Sequence, residues 1–161
     1  MIRSALGFDL GRHAAWAWVS RPKVGPQKTE TGRIELAEIS GGAAAEMAHF
    51  RRMVGLLMDC KPEAIAYERP GFNVGMGGIW IVRQEGVLLA EAGARGVFVA
   101  DVAVPTLKKW ATGSGKAEKH DMLAAAEAAG WLPPGNYRGR DDEVDAVCVV
   151  RWLLAHAEEA T

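Results

Sequence analysis

The chain has 161 residues, 49% hydrophobic and 24% charged, a globular composition that excludes disordered, collagen-like and mucin-like polymers. Nineteen lysines and arginines stand against 20 acids, for a formal net charge of −1, so nucleic-acid binding has to rest on local patches rather than on a basic whole-chain field. The length suits one domain over residues 1–161. The longest charge-free stretch, 70–82, is glycine-rich and falls short of the roughly 18 apolar residues a membrane helix needs. The opening MIRSALGFDL lacks the apolar core of a secretory signal, so the expectation is a cytoplasmic protein with no membrane partner.

Residues 4–10 and 13–20 are short runs of branched and aromatic residues around Gly11-Arg12, as in a strand hairpin. A turn-rich loop is expected over 21–31, and alternating residues predict a third strand over 32–39. Met47, Phe50, Val54, Leu57 and Met58 recur at helical spacing up to Cys60, where Lys61-Pro62 stops the helix. A short strand, 64–68, leads into the glycine-rich loop 69–78. Ile79, Val82, Gly86, Leu89 and Gly93 then mark one stripe of a long second helix. This stripe suits either a pairing surface or a cover for the sheet. A fifth strand follows over 97–104, Pro105 opens a helical turn, and helices are expected over 116–129 and 142–159. Parallel strands joined by helices require right-handed crossovers, giving a mixed α/β sheet with a crevice where the first and fourth strands meet.

Acids gather at that crevice. In the first strand Ala5, Gly7 and Asp9 share a face, and in the fourth Ala64, Ala66 and Glu68 do so, each small-residue face ending in an acid. Asp142 and Asp145, three residues apart, extend the apolar stripe of the last helix at its N-terminus. Carboxylates brought together out of water call for cations, and hard oxygen donors with room for water and phosphate suit magnesium or manganese. Taken singly, each acid also suits a structural role: Asp9 in the Gly11 turn, Glu68 paired with Arg69, and Asp141-Asp142-Glu143 complementing a helix dipole. Lys108, Lys109, Lys116 and Lys119 cluster around Gly113-Ser114-Gly115, a pattern that suits either phosphate contacts or a solvated face. After Glu68, Arg69 suits a phosphate contact and Phe72 either stacking on an unpaired base or packing, with Arg138 and Arg140 as further cations.

Several other patterns fail their tests. GSGK lacks the remaining P-loop residues, since Trp110 and Ala117 stand where Gly and Ser or Thr are needed, and GMGG lacks the dinucleotide fingerprint, so no nucleotide cofactor is expected. Cys60 and Cys148 form no CxxC pair and read as buried free thiols. The four histidines show no metal-ligand spacing. The six tryptophans read as core or interface anchors.

The ordered set GFDLG, IAYERP, RQEG, GSGKAEK and DEVDA resembles the RuvC-type Holliday junction resolvases of the RNase H-like superfamily. The resemblance spans nearly the whole chain. It implies an RNase H-like α/β fold with a five-stranded mixed sheet, and Asp9, Glu68, Asp142 and Asp145 as catalytic ligands of Mg2+ or Mn2+. It also lifts Lys116 and Lys119 as DNA contacts. The implied partner is branched DNA, a four-way junction, cut by water attack to leave 5′-phosphate ends, with a homodimer placing one site on each of two strands. Other branched DNA or precursor RNA is the alternative substrate. An actin-like phosphotransfer module and a non-cleaving junction-binding scaffold are the readings from other classes.

Overall fold

Strands β1 (Ser4–Asp9), β2 (His13–Ser20), β3 (Lys28–Glu35), β4 (Ala64–Arg69) and β5 (Phe98–Ala103) form one sheet in the order β3-β2-β1-β4-β5. The computed structural model that shows this describes residues 1–69 and 78–159. β1, β2 and β3 make an antiparallel meander, whereas β4 runs parallel to both β1 and β5. Parallel neighbours need crossover connections, supplied here by α1 (Gly42–Met58) and α2 (Gly78–Arg95). Three further helices follow β5: α3 (Val104–Thr112), α4 (Lys119–Ala128) and α5 (Asp141–Glu159).

Side-chain alternation divides the sheet into a bulky face and a small-residue face. On the bulky face Leu6, Phe8, Ile65 and Tyr67 pack against Phe50, Val54 and Met58 of α1 and Leu88 and Ala92 of α2. Buried Glu91 of α2 ties those two helices together through an ion pair with Arg51 of α1, and pairs within its own helix with Arg95. On the other face Ala5, Ala64 and Ala66 meet α5, whose Ala146, Val149, Val150 and Leu153 are fully or almost fully buried. Alanine and glycine let that helix sit close. A Cβ added at Gly7 would lie 2.5 Å from the Ala146 carbonyl oxygen and 2.7 Å from the Val150 nitrogen, so backbone meets backbone and no larger residue fits.

The expected architecture holds, with local corrections. β3 starts four residues earlier than expected, because its ladder with β2 runs the full length from Ser20–Lys28 to His13–Glu35, and Thr29 and Thr31 suit extended backbone. The preceding loop shrinks accordingly. α4 begins at Lys119 rather than 116, because Glu118 and Asp121 form a reciprocal capping box that fixes the helix start. Cys148 is buried as expected, but Cys60, just past the end of α1, is exposed. Among the described residues no helix is long and apolar enough to cross a membrane.

Replacing Gly7 by alanine pushes a methyl group into the α5 backbone and is expected to cost about 1–3 kcal/mol, as overpacking does. The check is a urea titration, in which the midpoint falls at unchanged slope. An unchanged midpoint contradicts the close approach.

Candidate active site

Asp9 ends β1, and Glu68 stands next to last in β4. The parallel register that pairs Phe8 with Tyr67 brings the two acids to neighbouring strand ends. α5 supplies the other two acids. Its contact with Gly7 at Ala146 carries Asp145, one residue earlier, and Asp142, one helical turn earlier, toward the C-terminal end of β1.

The electrostatics follow from that neighbourhood. Burial, then the charges of Glu68, Asp145 and Asp142, push the Asp9 carboxyl well above the usual carboxylate range. Burial and the Asp145 charge push Glu68 up to about 7. Burial raises Asp145 to about 6, with Lys119 opposing the rise and Asp142 and Asp141 adding to it. Four acids from three elements thus act on one another. They crowd the crevice without closing round one point, since among the described residues no group of three His, Cys, Asp or Glu side chains is disposed to hold a metal ion.

The three acids that open α5 have separate roles. Asp141 is ion-paired with Lys119 at 3.2 Å, whereas Asp142 raises Asp9. Glu143 turns away from the crevice and is buried. It accepts hydrogen bonds from Arg140 and, at 2.8 Å, from the Thr31 hydroxyl, with Arg33 at 3.5 Å. Burial raises its pKa, but the bonds from Arg140 and Thr31 outweigh that and hold the carboxyl below its ordinary value. Arg33 also lies 3.9 Å from Asp142. This network fixes the start of α5 against β3.

Beside the acids lies an open groove of about 700 Å³, lined by Lys108, Lys116, Lys119, His120 and Arg138 together with Asp141. Three of the four expected lysines therefore meet. Lys108 also reaches the crevice electrostatically, opposing the rise in both Glu68 and Asp145. Lys109 points elsewhere, into a neighbouring hollow with Pro105 and Trp110. Arg69 does not line the groove; its exposed guanidinium is paired with Asp101 of β5, not with Glu68. Phe72 lies outside the described residues.

The stripe of α2 does not cover the sheet. Ile79, Val82 and Leu89 are 48%, 47% and 44% exposed, and a Cβ at Gly86 or Gly93 would meet nothing within 4 Å. Gln84, Leu88, Glu91 and Ala92 form the buried side instead. Sequence reasoning does not single out Gln84, and it reads Glu143 only as complementing a helix dipole. Both sit inside motifs, RQEG and DEVDA, and each is a polar residue on the inward side of its helix, which is the signal that would have singled them out.

The raised carboxyls fix the sign of a pH effect. Without divalent ions the native state holds protons on Glu68 and Asp145 that the unfolded chain has released, so stability falls as pH rises from the ordinary carboxylate range through about 7. The lowered Glu91 and Glu143 act only below that window. Thermal melts in chelator between pH 5 and 8 are expected to show the decline, shallower in Asp145→Asn. A flat or rising profile contradicts the crowding of these acids.

Two solved structures share this architecture. The chain is similar to the RuvC structure of Thermus thermophilus, at 20% identity and a TM-score of 0.77, covering 98% of this chain and 97% of that one. It is likewise similar to T. thermophilus RuvC in complex with Holliday junction substrate, at 19% identity and a TM-score of 0.77, covering 99% of this chain and 97% of that one. No family model and no curated protein sequence matches the chain. The fold is that of RuvC, an RNase H-like α/β fold built on a five-stranded mixed sheet.

Proposed function

We propose that the protein is a divalent-metal-dependent endonuclease that resolves four-way DNA junctions by paired phosphodiester hydrolysis, with residues 1–161 acting as one cytoplasmic nuclease domain. The observation that carries this reading is the juxtaposition of buried, mutually repelling carboxylates from β1, β4 and α5 with a lysine-lined groove on a RuvC fold. The donor set fits a hard cation. It consists of carboxylate oxygens whose burial and repulsion are only partly offset, by Lys119 and Lys108, with Arg33 beside Asp142.

Asp9, Glu68, Asp142 and Asp145 would hold magnesium or manganese, which when bound activates water and stabilises the leaving oxygen of a phosphodiester. The chain's own groups do the rest. Lys116, Lys119 and Arg138 hold backbone phosphates along the groove, and Lys108 sits between that groove and the acids. Lys119, shared with Asp141, is poised to exchange that partner for a phosphate. The net charge of −1 gives no overall attraction for DNA, so binding depends on concentrating cations locally and weakens steeply with salt.

The exposed stripe of Ile79, Val82, Gly86, Leu89 and Gly93 supports a homodimer joined through α2, since an apolar helix face left open suits a self-complementary contact. Two sites related by a twofold axis then cut two strands of one junction symmetrically.

Asp9→Asn is expected to lower magnesium-dependent nicking of a synthetic four-way junction by at least about a hundredfold, the scale of losing one preorganised electrostatic group. Undiminished nicking overturns the mechanism, and faster cleavage of fork, duplex or RNA substrates in the same assay replaces the substrate. Leu89→Glu, on an exposed position, is expected to convert the dimer to monomer by light scattering and to abolish paired cutting. A monomeric wild-type protein contradicts the dimer.

A further inference from the structure

Gln84 is 0% exposed, on the side of α2 that packs toward the sheet. Its side-chain oxygen accepts the Gly11 N–H at 2.9 Å, and its side-chain nitrogen donates to the Gly11 carbonyl at 2.7 Å. The β1–β2 ladder ends at the Asp9–Ala15 pair, so Gly11 lies beyond it. Gln84 offers that peptide both of the bonds that a neighbouring strand would have offered. Gly11 is two residues from Asp9. The next residue of α2, Glu85, accepts the Tyr67 hydroxyl at 2.6 Å, and Tyr67 immediately precedes Glu68. Two successive side chains of one helix therefore hold the two strand ends that carry acids.

We propose that Gln84 and Glu85 are positioning residues through which α2 sets the placement of Asp9 and Glu68, an inference that rests on the nuclease reading of those acids. The acids repel one another, and the ladder between β1 and β4 ends at the Phe8–Tyr67 pair, one residue before each of them, so their mutual spacing needs an outside constraint. Backbone hydrogen bonding within the sheet stops short of supplying it at Gly11. The opposite side of α2 carries the exposed apolar stripe. Docking of a second copy on that stripe and retention of the acids thus act on the same rigid element, and the helix that pairs the subunits also holds each site.

The test separates placement from fold and from substrate binding. Gln84→Met keeps the volume and removes both bonds to Gly11. Tyr67→Phe removes only the hydroxyl, and Glu85→Gln keeps an acceptor for it. Titration calorimetry with Mn2+ in the absence of DNA is expected to show affinity falling by about 10–100-fold in Gln84→Met, as when a group orienting a metal ligand is lost. Tyr67→Phe should show a smaller fall and Glu85→Gln near wild-type affinity. Junction cleavage should lose kcat at unchanged KM. Wild-type Mn2+ affinity and kcat in folded Gln84→Met and Tyr67→Phe overturn the clamp alone. If Gln84→Met does not fold, Tyr67→Phe decides by the same readouts. A wild-type protein that neither binds Mn2+ nor cuts any substrate overturns the nuclease reading and the clamp with it.

Discussion

The close contact between the backbone of α5 and Gly7 is the constraint from which the site follows. A helix can approach a sheet this closely only over residues without bulk, and Ala5, Gly7, Ala64 and Ala66 provide such a strip along the two central strands. With α5 seated there, its first two turns overhang the C-terminal ends of β1 and β4. The same small-residue face that admits the helix ends in Asp9 and Glu68, so packing and chemistry are set by one alternation along two strands. A larger residue at Gly7 lifts the helix and, with it, the carboxylates that α5 contributes.

That arrangement is electrostatically costly by itself. Asp9, Glu68 and Asp145 are all pushed upward chiefly by burial, and a protein gains nothing in stability by crowding acids away from water. The acids with structural roles behave in the opposite way. Glu91 and Glu143 are buried yet held below their ordinary values, because each is met by two arginines or by an arginine and a hydroxyl. One set of acids is thus neutralised by partners within the fold, and the other is left wanting positive charge, which is the contrast on which the proposed site rests.

Much of this is legible in the sequence. The period-two switch between bulky and small residues in 4–9 and 64–68 carries both the sheet faces and the position of the acids, because strand geometry leaves no other arrangement. The three-residue step between Asp142 and Asp145 likewise follows from helix geometry. Less legible were features that depend on partners distant in sequence. β3 extends to Lys28 because β2 is long enough to pair with it, and the alternation of 28–31 is of charge with threonine rather than of polar with apolar residues. Asp101 captures Arg69 from the next strand, which spacing within 68–72 does not reveal. Lys109 and Lys108 are neighbours in sequence but point to different hollows, as successive positions on a helix do. The stripe of α2 was visible as a stripe, but whether it faced protein or solvent depended on how Gln84 and Leu88 were already placed.

Glu143 ties the first turn of α5 to Thr31 and Arg33, side chains of the outermost strand of the meander. The helical half of the acid cluster is therefore moored at the rim of the sheet, while the strand half is moored at its centre through α2. Because the backbone contact at Gly7 seats the same helix on β1, α5 is braced at two places, and loss of the Glu143 tether frees the helix start while the contact at Ala146 still holds the turn behind it.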